Sequence, residues 1–204
     1  MTRFRLAAIT LLTLCALGPG KAAAVAGSPT DAIKRTNDQL NGLLRKQKAS
    51  AGKTAEQISE RLTKTVNAFL DFEELAKRAL GKHWDKRSGK ERKQFVEILS
   101  KLIEKSYVKQ LKSNLDYRLE YRGEKVSGEQ AEVKTVVKVK REGRTEEVEI
   151  AYKMQKTKRG WMVYDMITDE VSVVRNYRSQ FNRIISRDSY EVLVKKMKAK
   201  LQRI

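Results

Sequence analysis

Ala131-Glu132-Val133-Lys134-Thr135-Val136-Val137-Lys138-Val139-Lys140 and Glu147-Val148-Glu149-Ile150-Ala151-Tyr152-Lys153-Met154 decide how this chain folds. In the first, Ala131, Val133, Thr135, Val137 and Val139 alternate with Glu132, Lys134, Lys138 and Lys140. In the second, Val148, Ile150, Tyr152 and Met154 alternate with Glu147, Glu149 and Lys153. A period of two is the signature of a strand with one face buried and one solvated. Arg141-Glu142-Gly143-Arg144 between them reads as a hairpin connection, as does Lys156 to Gly160 further on. Strands joined by short turns imply an antiparallel sheet.

Trp161 to Ile167 breaks the simple alternation. Trp161, Val163 and Ile167 fall on one side and Met162, Tyr164 and Met166 on the other, so both faces are apolar. Two readings fit: a central strand buried on both sides, or a strand with one face on the core and the other on an apolar cavity. Composition does not separate them.

On either side of the alternating third, Tyr117 to Thr168, the pattern is helical. Ser28 before Pro29 fits an N-cap with proline at the first helical position. Thr54 with Gln57, and Ser88 with Glu91, read as capping boxes. Ile58, Leu62, Val66 and Phe69 share one helical face, as do Phe95, Ile98, Leu99, Leu102 and Ile103 on a helix that continues to Leu111. Asp71 is placed to cap a short helix bearing Phe72, Leu75, Ala79 and Leu80 and ended by Gly81. Gln47 to Lys53 reads as a loop, and helix returns from Ser172 to the end. The expected class is α+β, a curved antiparallel sheet packed against helices.

The chain has 204 residues, with 44 Lys and Arg against 25 Asp and Glu, a net charge of +19. That balance draws it toward anionic partners. Residues 1–26 have a basic start (Arg3, Arg5), an apolar run from Leu6 to Leu17, and small residues suited to cleavage near Ala24-Val25-Ala26. This is the layout of a secretory signal peptide, leaving 27–204 as one domain. Its removal takes three cations and no acid, so the remainder holds 41 cations against 25 acids, +16. Cys15 leaves too, which excludes a disulfide, a thiolate nucleophile and a cysteine metal site. Beyond residue 27 no stretch approaches 18 apolar residues. Zinc-finger spacing, aromatic–basic RNA motifs and helix-turn-helix signatures are missing, so no nucleic-acid partner is expected.

Val171-Ser172-Val173-Val174-Arg175-Asn176-Tyr177-Arg178-Ser179-Gln180-Phe181, following Trp161-Met162-Val163-Tyr164-Asp165-Met166-Ile167, resembles the MlaC, or toluene-tolerance, family of periplasmic phospholipid-binding proteins. Leu80-Gly81-Lys82-His83-Trp84, the helix from Glu91 to Leu102, Val133-Lys134-Thr135, Val148 to Tyr152, and Tyr190 to Leu201 match other parts in order, so the resemblance spans roughly 30–202. Two departures stand out. Asp169-Glu170 replaces the family's Glu-Gly, so a glycine-dependent turn is shaped differently. His83 stands where an aromatic residue is more usual.

The resemblance implies a sheet similar to the nuclear-transport-factor cone, with an apolar lipid cavity between sheet and helices and the headgroup in solvent. It implies a periplasmic phospholipid carrier that maintains outer-membrane lipid asymmetry. The implied partners are phospholipid, an outer-membrane lipoprotein–porin complex and an inner-membrane ATP-driven transporter with MCE-type domains. It implies no metal and no cofactor. Two acyl chains hold on the order of 30 methylenes, each worth about 0.8 kcal/mol when removed from water, so a carrier needs a dozen or more large apolar side chains. Leu75, Leu80, Trp84, Leu99, Ile103, Val137, Val139, Ile150, Tyr152, Met162, Tyr164, Met166, Val174, Tyr177 and Phe181 can supply them, each of which also reads as ordinary core. Arg175 and Arg178 are candidates to meet a phosphate, or to sit on a solvated helix face. Lys195, Lys196, Lys198, Lys200 and Arg203 make the last helix basic.

Two further functions compete. A basic docking module without cargo needs only the charged surface. An enzyme would have to draw on His83, Tyr164 and Asp165, the one acid–base set that can be assembled, without a nucleophile motif or metal-spaced ligands. The chain is therefore read as a non-enzyme.

Overall fold

The computed structural model describes residues 27–113, 117–141 and 144–203. The expected signal peptide, 1–26, and the tip of the second hairpin, 142–143, lie outside them. Among the described residues, six helices and a short 3-10 turn accompany five strands: α1 (Pro29–Lys48), α2 (Gly52–Phe69), α3 (Phe72–Leu80), α4 (Gly89–Ser113), β1 (Tyr117–Ser127), β2 (Gln130–Arg141), β3 (Arg144–Thr157), β4 (Gly160–Thr168), β5 (Val171–Ser172), α5 (Val173–Arg187) and α6 (Tyr190–Arg203). The strands form one antiparallel meander in chain order, the α+β arrangement expected.

Three of the four anticipated caps set helix starts. The Asp31 amide donates to Ser28 Oγ and the Ser28 amide to the Asp31 carboxylate, a reciprocal box with Pro29 between them. Ser88 and Glu91 make the same exchange at α4. Asp71 accepts from the Glu74 amide at 3.1 Å and, through its other oxygen, from Gln155 Nε2 at 2.8 Å, which ties α3 to the sheet. The Thr54 box does not form. α2 begins earlier, at Gly52, with Ala51 as an N-cap that makes no side-chain bond, so Thr54 already lies within the first turn.

Two bulges shape the sheet. Arg122 is unpaired between Tyr121↔Thr135 and Gly123↔Lys134, and Tyr164 is unpaired between Met154↔Val163 and Lys153↔Asp165. An extra residue bends its strand and reverses the facing of the residues beyond it. Residues paired directly across an antiparallel sheet share a face, so Val163 and Met166 both lie with Met154 and Tyr152, and Met162 and Asp165 both lie opposite. Simple alternation puts Val163 and Met166 on different sides. The bulge corrects that, and it answers both readings of β4: Met162 and Asp165 are buried on one side, Tyr164 is buried at the bulge itself, and Met166 faces the space under the helices on the other.

The outer face of the sheet carries cross-strand ion pairs. Lys138 bridges Glu120 at 3.1 Å and Glu147 at 3.0 Å, and Lys153 pairs with Glu132. These hydrogen bonds hold the Glu120 and Glu132 carboxyls below the ordinary glutamate value, and the Ser88 amide does the same for Glu91. A depressed folded-state pKa contributes stability above the unfolded value that is lost as pH falls through the folded one. The thermal midpoint is thus expected to be level above pH 4.5 and to drop steadily below it, as scanning calorimetry across pH 6 to 3 would read.

The β4–β5 connection is strained. Asp169 (φ 47°) and Glu170 (φ 65°) are both left-handed between the Thr168↔Val171 pair, a type I′ turn without glycine. Aspartate tolerates this region better than glutamate. Glu170→Gly is expected to stabilise the fold by about 1 kcal/mol and raise the thermal midpoint by a few degrees. The bond from Arg175 Nη2 to the residue 170 carbonyl, 3.1 Å, survives the change.

Candidate functional site

Between the sheet and the helices lies a partly open cavity of about 360 Å³. Register builds its floor. Val137↔Val148 and Leu119↔Val137 are directly paired, as are Tyr117↔Val139, Thr168↔Ile150 and Tyr152↔Met166, so one sheet face presents these side chains as a continuous wall. The helices close it with Ile33, Thr36, Asn37 and Leu40 of α1, Phe69 of α2, Ile103 and Ser106 of α4, and Val173 and Tyr177 of α5. Phe69 meets Tyr152 edge to face, 6.2 Å between centroids, at the inner end.

Burial falls along the cavity. Ile33, Leu40, Ile103 and Tyr152 are buried, whereas Val139, Val148, Thr168 and Val173 are half-buried and Ser106 is exposed. On the strands, half-buried Val139, Val148 and Thr168 lie nearer the β2–β3 hairpin end than buried Thr135, Tyr152 and Val163, so the mouth is at that end of the sheet. Although the protein carries +19, no charged side chain lines this space among the described residues. Its few polar groups are largely occupied: Tyr117 Oη donates to Asn37 Oδ1 at 3.0 Å, and Thr36 Oγ1 to the Ala32 carbonyl at 2.9 Å. Burial pushes the Tyr177 hydroxyl above its ordinary pKa, so it stays neutral. Such a lining accepts hydrocarbon and offers an ion nothing.

The structure divides the residues expected from sequence. Ile103, Val137, Val139, Ile150, Tyr152, Met166 and Tyr177 lie together on the cavity wall. Leu75, Leu80, Trp84, Leu99, Met162, Tyr164, Val174 and Phe181 are buried but do not line it. Phe181 packs against Phe95 with centroids 5.5 Å apart, and Tyr164 lies under the Arg78 guanidinium at 4.1 Å. Arg175 and Arg178 are not on the wall either. Arg178 Nε donates to the Arg78 carbonyl at 2.7 Å, across Gly81, and so closes the C-terminus of α3. Gly81 is left-handed there, φ 55°.

Sequence reasoning missed Phe69, Ser106, Tyr117, Leu119, Val148, Thr168, Val173 and the whole α1 contribution. For α1 the signal was present: Ile33 and Leu40 stand seven residues apart with Thr36 and Asn37 between them, one face of a helix.

The residues considered for acid–base chemistry are each held elsewhere. Asp165, buried, accepts from Ser172 Oγ at 2.6 Å and from the Val174 amide at 2.9 Å, fixing the start of α5. His83 Nε2 meets Asn182 Oδ1 at 3.0 Å. No group of three or more His, Cys, Asp or Glu able to hold a metal occurs among the described residues. No helix among them is long and apolar enough to cross a membrane.

Comparison with known proteins agrees with this geometry. A phospholipid-binding protein from Ralstonia solanacearum, solved in complex with a phospholipid, superposes with a TM-score of 0.70 at 18% identity, covering 87% of this chain and 98% of that one. At that identity the likeness is one of fold. No curated protein matches the sequence. The family described as MlaC protein matches residues 34–199, nearly all the described chain. With the meander, the helices over its face and the uncharged cavity all accounted for, this chain belongs to the MlaC family.

Proposed function

We propose that residues 27–204 form a phospholipid carrier that holds acyl chain in the cavity and leaves the headgroup in solvent. The observation that carries this reading is an uncharged, largely apolar cavity in a strongly basic protein. Family membership and the phospholipid in the Ralstonia solanacearum relative support it, and both point to a binding or transport protein rather than an enzyme. An apolar cavity of about 150 Å³ holds one benzene. On that scale 360 Å³ takes about 14 carbons, one acyl chain, and a second chain runs along the open side or widens the cleft. Sheltering 14 methylenes at about 0.8 kcal/mol each contributes about 11 kcal/mol against exposure to water. The rest of the reading comes from the export signal read in 1–26 and from the family: a periplasmic shuttle between an outer-membrane lipoprotein–porin complex and an inner-membrane ATP-driven transporter with MCE-type domains, keeping the outer membrane asymmetric. No organic cofactor or metal takes part.

Native mass spectrometry of protein purified without detergent tests the cargo. A mass increment of one phospholipid is expected. Protein that stays empty even after incubation with phospholipid vesicles would instead favour a docking module without cargo.

A further inference from the structure

The strongest charge concentration outside the cavity is the solvent face of α6. Tyr190, Leu193, Val194 and Met197 bury one side of this helix, and Lys195, Lys196, Lys198, Lys200 and Arg203 occupy the exposed remainder with Glu191 the single acid, at the far N-terminal end. Lys196 is engaged by Asp188 at 3.3 Å. Lys195, Lys198 and Lys200 have no acidic partner among the described residues. This cationic end is fixed in place: Lys105 Nζ of α4 donates to the Leu201 carbonyl at 3.3 Å. Ser106, the next residue, lines the cavity and is its exposed member. The C-terminal end of α6 is thereby tied to the turn of α4 that carries this exposed cavity residue.

We propose that the Lys195–Lys198–Lys200 face of α6 docks on an anionic lipid surface and brings this turn of α4 toward it. Lysines are hydrated point charges, and here they are spread over a wide helical arc without a concave, bidentate site. That suits the diffuse charge of a bilayer better than the localised groups of an acidic protein. Each cation near such a surface strengthens attachment about five-fold, and the attraction is screened within a Debye length. The docking face stands apart from the carrier reading; only the benefit of its tie to this turn of α4 rests on it.

Cosedimentation of the full protein with vesicles tests this, using equal parts phosphatidylglycerol and phosphatidylcholine against pure phosphatidylcholine. Binding is expected to the anionic vesicles alone and to vanish at high salt. K195Q/K198Q/K200Q should weaken it on the order of 100-fold. K156Q/K158Q/R159Q removes the same charge at the β3–β4 turn, the opposite end of the sheet, and should change it less than about five-fold. Equal losses in the two variants would overturn the proposal, since net charge alone would then explain the binding. So would failure to bind anionic vesicles, or attachment to an acidic polypeptide in their place. Circular dichroism checks that both variants fold. Phospholipid copurification, read separately by native mass spectrometry, reports on the cavity, so loss of one reading leaves the other measurable.

Discussion

Ile150→Glu is expected to empty the cavity while leaving the protein folded. Ile150 sits mid-wall on β3, paired with Thr135 on one side and Thr168 on the other, and its side chain is half-buried. A carboxylate there must be desolvated by any hydrocarbon that enters, at a cost of about 3–4 kcal/mol or more, so phospholipid retention should fall roughly 100- to 1,000-fold at pH 8. Burial beside lipid raises the pKa of the introduced acid. Its neutral form therefore returns as pH falls, and retention should recover partly toward pH 5. Ile150→Gln, which cannot ionise, should give a smaller loss with no such pH dependence. Glu149→Gln, one residue away on the outer face, should have no effect on retention. Mass spectra of the four proteins, each loaded from the same vesicles, make the comparison. Retention by the Glu variant equal to the wild type would remove this wall from any account of binding.

Phe95→Ala is expected to act on stability and not on cargo. Phe95 is 0% exposed, meets Phe181 edge to face at 5.5 Å and lies 6.3 Å from the Tyr190 ring. Those three rings join α4, α5 and α6. Truncation removes the ring from a packed interior and leaves a cavity, a loss of about 3–5 kcal/mol and roughly 10 °C in thermal midpoint for a domain of this size. Urea unfolding measures it. Because Phe95 does not line the cavity between sheet and helices, the folded fraction should still retain phospholipid if that cavity is where it binds. The pair of variants separates two apolar regions that look alike in sequence.

That likeness is why the sheet was legible and the cavity wall only partly so. The run from Ala131 to Met154 announced a sheet because a strand exposes alternate residues to opposite surroundings, and short turns then set the register. Ser28, Ser88 and Asp71 announced helix starts because each satisfies amides within three residues of itself. Thr54 misled because a cap is local but a helix start also depends on what precedes it, and α2 begins at Gly52. Leu99 and Ile103 lie on one apolar face of α4, yet only Ile103 reaches the cavity; the distinction rests on which neighbour each residue meets.

From sequence alone came the strand period, the helix faces, the basic character and the family's order of segments. Each of these is written in residues close together along the chain. Tertiary structure decided whether the inward space is filled. The bulge at Tyr164 turned Met166 to the same side as Tyr152, and α1 brought Ile33 and Leu40 over a sheet that begins some 80 residues later. An apolar side chain gains similarly from meeting another side chain or a lipid tail, so its identity cannot record which one it meets; the gap between helices and sheet does.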